Sequence, residues 1–227
     1  MKKTKHLIIA ITFLLSFGCA LYVTMQVFPI NPFLAANVKG QTNFPEKIQE
    51  GDIIFQTSES SQCEAVRIAT NSKFSHCGII YKINGKLFVF EAVQPVKLTP
   101  LNDWITHGRE KNYIVKRLKN ANEVLTPTTL QKMEEYGQQF MGKEYDAYFE
   151  WTDTRIYCSE LVWKIYKNGA NIELSKLQHL KDFNLTDERV VKVLNERYGN
   201  NIPLEEKVVS PSNLVDSNLL VTVIDTY

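Results

Sequence analysis

No excess of basic charge marks this 227-residue chain, in which 26 lysines and arginines meet 25 acidic residues for a formal net charge of +1. Lys2, Lys3 and Lys5 are the only charged residues ahead of Lys39, and without them 23 cationic side chains face 25 acidic ones. That balance excludes a nucleic-acid footprint. Cysteine is equally sparse. Cys19, Cys63, Cys77 and Cys158 contain no CxxC pair and no metal-ligand spacing, so neither a zinc site nor a disulfide framework is expected, and no metal or cofactor is called for. Repeats and low-complexity segments are missing too. With 44% hydrophobic and 22% charged residues, the composition is that of one globular domain with a sizeable core plus a terminal extension.

The stretch between Lys5 and Lys39 carries no charged residue, and its mostly apolar part runs from Leu7 to Ile30. It is long enough to cross a bilayer, which takes about 20 residues. It also carries Gly18-Cys19-Ala20, a small-x-small site suited to signal cleavage, and Cys19 is a further candidate for lipidation. Residues 1–30 are therefore expected to be a signal peptide or an N-terminal membrane anchor, and residues 31–48 a linker. By the positive-inside rule the lysine-rich start stays in the cytoplasm, which places the domain at 49–227 in the periplasm or cell envelope, secreted or membrane-associated through residues 7–30.

Within that domain the stretch Tyr157 to Asn168, YCSELVWKIYKN, repeats its apolar residues at helical spacing and meets a stop signal at Asn168-Gly169. Cys158 therefore opens a helix. Unpaired first-turn N–H groups favour an anion, which biases a thiol there toward the nucleophilic thiolate. A cysteine on a buried stripe ordinarily just packs, so a base and an orienting group elsewhere decide the matter.

Both are supplied by a hairpin. Two strands, Cys77–Ile83 and Lys86–Ala92, flank Asn84-Gly85, the pair that a tight two-residue turn selects because both residues need positive φ. If Ile83 faces Lys86, then Ile79 faces Phe90, Gly78 faces Glu91 and His76 faces Val93. His76 and Glu91 then become diagonal neighbours on one face, while Cys77 points to the other. Glu91 stands among Phe88, Val89, Phe90, Ala92 and Val93, where a carboxylate needs a partner. Around this hairpin the patterns predict a strand at Ile53–Phe55, helices at Ser60–Thr70, from Pro127, at Asp187–Tyr198 and after Ser210-Pro211, and strands at Tyr113–Leu118 and Leu219–Ile224. The aromatic segment Gly142–Ile156 is read as a pocket wall.

These motifs, GDIIF from Gly51, SHCGIIY with His76, FEAVQPV with Glu91, GKEYD with Tyr145, YCSELVWKIY with Cys158 and SPSNL, resemble in order those of the YiiX/YebB-like permuted papain-fold hydrolases, relatives of the NlpC-type cysteine peptidases. The resemblance spans Gly51 to Ser217. It implies an α+β fold in which an antiparallel sheet packs against the helix carrying the nucleophilic cysteine, that helix following the histidine strand rather than preceding it. It carries nucleophile, base and orienting acid onto Cys158, His76 and Glu91. By analogy with a tyrosine ahead of the cysteine in NlpC-type enzymes, Tyr145 is a candidate for the oxyanion, and Tyr157 and Gln56 complete the oxyanion and substrate-binding candidates.

The expected activity is that of a thiol hydrolase, an amidase or peptidase working through an acyl-enzyme on amide bonds of envelope peptides or N-acyl amino acids. Two alternatives stand beside it. One is an acyltransferase or lipid deacylase of the same fold, the other a non-catalytic binder of amino acids or peptides.

Overall fold

The computed structural model describes residues 47–227. The expected leader, residues 1–30, and all of the expected linker except Lys47 and Ile48 lie outside the described residues. Ile48 itself is buried in the core.

The strands are Ile53–Ser58 (β1), His76–Ile83 (β2), Lys86–Glu91 (β3), Lys97–Pro100 (β4), Gly108–Leu118 (β5), Gln178–His179 (β6), Lys207–Val208 (β7) and Leu220–Asp225 (β8). Six of them make one antiparallel sheet in the order β4-β3-β2-β1-β5-β8, and β6 pairs with β7 apart from it. The helices are Ser61–Ala69 (α1), Leu101–Thr106 (α2), Ala121–Val124 (α3), Pro127–Gln138 (α4), Cys158–Ala170 (α5), Glu188–Tyr198 (α6) and Pro211–Val215 (α7). Capping follows the signals in the sequence: Ser60, Thr126, Asp187 and Ser210 each accept a first-turn N–H of the helix that follows.

The central hairpin turns where expected. Asn84 and Gly85 have φ of 50° and 77°, and Ile83 faces Lys86. That register runs through Ile79 opposite Phe90 and stops, because the chain leaves the sheet after Glu91. The expected pairings of Gly78 with Glu91 and of His76 with Val93 are not formed as ladder pairs. The shared face is nonetheless kept. A Cβ on Gly78 would lie 2.4 Å from Val89 Cγ1 and 2.8 Å from the Phe90 carbonyl oxygen, so β3 can pack this closely on β2 only because Gly78 has no side chain.

Alternation along the strands sorts the core into two layers. Ile54, Ile80, Val89 and Val115 pack with Leu101 and Trp104 of α2 and with Ile48 on one face. The other face meets α4 and α5: a Cβ on Gly137 of α4 would lie 3.2 Å from both Phe90 of β3 and Ile165 of α5. Helix α5 does not stop at Asn168-Gly169. It runs to Ala170 and ends at Asn171, whose φ is 56°. Gly169 serves packing instead, since its Cβ would lie 2.5 Å from the Met133 Cα, a separation that only a hydrogen permits. Beside the sheet, Ala65, Val190, Leu194 and Leu180 join α1 and α6 in a second cluster. Strand β4 and helix α2, absent from the sequence-based expectation, are too short to show a period.

Candidate active site

The nucleophile candidate sits where a backbone switch places it. Tyr157 is extended, with φ −103° and ψ 167°, and Cys158 is the first helical residue of α5. The Tyr157 N–H donates to Glu160 Oε2 at 3.4 Å, and Ser159 Oγ donates to the Val209 carbonyl at 2.8 Å, so the first turn is fixed from both sides. Cys158 is buried but borders the cavity described below.

His76 opens β2, and its Nε2 lies 2.5 Å from Glu91 Oε2. A carboxylate only accepts, so Nε2 carries the proton in this bond and Nδ1 is left for the thiol. Two further donors complete the acid: Thr99 Oγ1 to Oε1 at 2.5 Å, and Trp104 Nε1 to Oε2 at 2.8 Å. The Trp104 ring also stacks on the imidazole, with centroids 5.8 Å apart and planes 26° apart. Glu91 is thus a buried anion with a full set of partners, which is the condition for keeping its charge.

The electrostatics follow from these contacts. Burial pushes the Glu91 carboxyl up, but His76, Thr99 and Trp104 together hold it below its usual value. For Cys158 the largest influence is hydrogen bonding from the Cys77 thiol, opposed by burial and reinforced by His76 and by the Cys77 backbone, and the thiol is held well below its usual value. Burial pulls His76 down, yet the bonds to Cys158 and Glu91 raise it well above an ordinary histidine. Thiolate and imidazolium therefore favour one another. Cys77 goes the opposite way, lifted by burial and then by Cys158, and stays a neutral thiol. It does point to the opposite sheet face from His76, but that is the face on which α5 lies, so it meets the nucleophile instead of turning away from the site. Its N–H is available because the β2–β3 ladder ends at Ile79.

All six sequence candidates line one cavity of about 680 Å³: Gln56, His76, Glu91, Tyr145, Tyr157 and Cys158. The Tyr145 hydroxyl accepts from Gln62 Nε2 at 2.9 Å, and burial followed by the nearby Cys158 charge keeps the phenol protonated. Tyr157 turns its hydroxyl to the Val209 N–H at 3.1 Å, where it anchors the segment flanking the first turn of α5. Gln56 pairs with His76 across β1 and β2. Its side chain is buried, Oε1 has no hydrogen-bond partner among the described residues, and Gly108 clears the space for it, since a Cβ there would lie 2.5 Å away.

Sequence reasoning missed Thr99, Trp104, Cys77 as a partner of Cys158, and Gln62. The first two stand on β4 and α2, which carry no periodic signal. The only available hint was that a glutamate in an apolar strand needs more than one partner.

The family model for the permuted papain-like amidase enzymes, YaeF/YiiX, C92 family, matches residues 47–224. The chain is 47% identical to the uncharacterized protein YiiX of Escherichia coli K12 over 175 residues, 77% of this chain and 85% of that protein. A crystal structure of YiiX from Escherichia coli O157:H7, described as a metalloprotein, superposes with a TM-score of 0.76 at 46% identity, covering 80% of this chain and 99% of that one. With the sheet, the cysteine helix and their order along the chain already matching, the protein belongs to the permuted papain-like amidases of the YaeF/YiiX C92 family, a cysteine peptidase-like family.

Proposed function

We propose that the protein is a thiol amidase that uses Cys158, His76 and Glu91 and acts on amide bonds of cell-envelope peptides or N-acyl amino acids. The observation that carries this reading is the 2.5 Å bond between His76 and a carboxylate held by two more donors, beside a cysteine at a helix N-terminus. The Cys158 thiolate attacks the carbonyl carbon, the carbonyl π electrons move to oxygen, and collapse expels the amine, which takes its proton from His76 Nδ1. Water then gives its proton to the same nitrogen and attacks the thioester, releasing the acid and the thiolate. Glu91 keeps the imidazole in the tautomer and orientation that both steps need. The oxyanion meets the Cys158 N–H and the Tyr145 hydroxyl.

The solved relative is described as a metalloprotein. Among the described residues of this chain, no three His, Cys, Asp or Glu side chains gather as a metal site, and no step is derived through a metal.

A second reading, hydrolysis or transfer of a fatty acyl chain, draws on the cavity wall. Beyond the polar groups, α1 and α6 line the cavity with Val66, Ala69, Val190 and Val193. Such a wall suits an aliphatic chain as well as an apolar side chain. With residues 1–30 read as a leader or anchor, either substrate is met outside the cytoplasm. A C-terminal alkaline phosphatase fusion should therefore be active in a bacterial host, and a stably expressed but inactive fusion counts against that location.

The experiment is intact-mass analysis of the purified protein after incubation with p-nitrophenyl acetate and, separately, with envelope extract. The expected result is one acyl adduct on Cys158, whose mass identifies the substrate class. No adduct, or an adduct only on Cys63 or Cys77, overturns the reading.

A further inference from the structure

Beyond the triad, three polar side chains in the cavity form a line whose polarity can be deduced from chemistry alone. Arg197 of α6 donates from Nη2 to Gln62 Oε1 at 2.7 Å, and Gln62 of α1 donates from Nε2 to the Tyr145 hydroxyl at 2.9 Å. The guanidinium is steadied from behind by the Phe149 ring, 5.3 Å from centroid to Cζ. The first helical turn of α1 is set by its Ser60 cap, and Arg189 of α6 reaches Glu64 of α1 at 2.8 Å, so the two helices are tied together where the line crosses between them.

An arginine can only donate. Gln62 must therefore turn its carbonyl toward Arg197, which turns its NH2 group toward Tyr145. The Tyr145 oxygen must then accept, and its one proton is left to be given elsewhere. The Tyr145 backbone is held by Gln94, whose Oε1 accepts its N–H at 2.7 Å, and the hydroxyl end of the ring is held by the Gln62 amide. The proton is offered to the cavity that also contains Cys158.

The geometry points to Arg197 and Gln62 as positioning residues for the oxyanion: they hold the Tyr145 hydroxyl with its proton facing the cavity and polarise it for donation. This rests on the thiol amidase reading, in which Tyr145 meets the oxyanion. Donors linked in series strengthen one another, and a positive charge at the head of the series adds to the effect. Were Arg197 absent, the amide could reverse, and Gln62 Oε1 would then capture the Tyr145 proton and withdraw the donor.

The polarity of the line sets an unusual ordering of variants. Gln62→Glu replaces the NH2 group with an oxygen that can only accept, so it captures the phenol proton. Gln62→Leu merely removes the polarising donor and leaves that proton free. With p-nitrophenyl acetate as the acyl donor, Tyr145→Phe should lower kcat about 100-fold with little change in KM, as loss of an oxyanion donor does. Gln62→Glu should approach that loss, Gln62→Leu should cost about tenfold, and Arg197→Met, which lets the amide reverse, should fall between the two. Arg197→Lys, which also only donates, should recover most of the Arg197→Met loss. In the Tyr145→Phe background, Gln62→Glu should change nothing further.

Melting temperatures of the same proteins exclude unfolding, and Arg197→Lys with Gln62→Leu provides a test should one variant fail to fold. Gln62→Leu proving as damaging as Gln62→Glu, or Gln62→Glu costing the same with and without the Tyr145 hydroxyl, overturns the inference while Cys158 is still acylated. A wild-type protein never acylated at Cys158 overturns the amidase reading and this inference with it.

Discussion

Two buried glutamates flank the site, one at the end of the hairpin and one in the first turn of the cysteine helix, and they end up in opposite electrostatic states. Glu91 receives His76, Thr99 and Trp104 within 2.8 Å and is held below its usual pKa in spite of its burial. Glu160 is at least as buried, but its partners are Lys164 at 2.8 Å and one long bond from the Tyr157 N–H at 3.4 Å, and burial pushes it up to about 8. Depth alone therefore does not decide the charge of a carboxyl group. The number of donors aimed at it does. The hairpin region is built to keep an anion, which an imidazole can lean on, whereas the helix region gives its glutamate the Tyr157 N–H ahead of the first turn and the Lys164 ammonium one turn on.

The largest effect is expected where that anion is removed. Glu91→Gln keeps the size of the side chain but allows the wrong imidazole tautomer, and kcat should fall at least about 100-fold while the protein stays folded. Cys158→Ala should be lower still, and adding Glu91→Gln to it should cost little more, because the three groups act as a unit. Full turnover by a stably folded Glu91→Gln protein would make Glu91 a structural residue like Glu160 and dissolve the contrast.

A smaller effect is expected when one donor is taken from Glu91. Trp104→Phe retains the stacked ring over His76 but loses the 2.8 Å bond. The carboxyl pKa should rise and kcat should drop about tenfold, roughly what one hydrogen bond to a charged group is worth. The readout is the acid limb of the kcat/KM profile, which should move to higher pH in the variant. An unmoved limb would mean that His76 and Thr99 suffice.

The thiol offers a third test. Cys158 should be alkylated by iodoacetamide well below about pH 8.5, the range of a free thiol, and ahead of Cys63 and Cys77. Cys77→Val removes the thiol donor while leaving the backbone N–H, and the midpoint of Cys158 alkylation should move to higher pH. Labelling that favours Cys77 would reverse the assignment of nucleophile.

How much of this was legible depended on whether a residue's role is local or distant in the chain. The Asn84-Gly85 turn placed His76 and Glu91 together, because turn chemistry and strand parity are written in adjacent residues. Cys158 at a helix start was legible for the same reason. Trp104 and Thr99 reach Glu91 from elements too short to leave a period, and nothing in their own neighbourhood announces the contact. Gly169 was misread as a helix stop because a glycine near a helix end carries the same letter whether it caps or admits a crossing helix, and Met133 lies far off in sequence. Cys77 was placed on the right sheet face, but which helix covers that face is a tertiary fact. The register was correct for the turn and failed only where the chain leaves the sheet after Glu91.

The last effect concerns Glu160 and falls on stability, leaving turnover alone, and it tests the other half of the comparison. In the unfolded chain this carboxyl ionises near its ordinary value of 4.5, whereas in the folded protein it keeps its proton to about 8. Folding therefore takes up a proton between those values, so the favourable contribution is fully present below the unfolded pKa and is lost as pH rises through the folded one. Lys164 does not remove this effect. Burial lowers its pKa, but Asp153 at 2.6 Å raises it along with Glu160, so the lysine has a second carboxylate to keep it charged. Glu160→Gln retains a group that can accept from the Tyr157 N–H and has no charge to desolvate. Between pH 5 and pH 8 the wild type should lose stability relative to this variant, by an amount on the order of a few kcal/mol across the window. Chemical denaturation at several pH values measures it. Curves that run parallel would show that Glu160 is ionised in the folded protein as Glu91 is, and that a single lysine can do for one carboxylate what three donors do for the other.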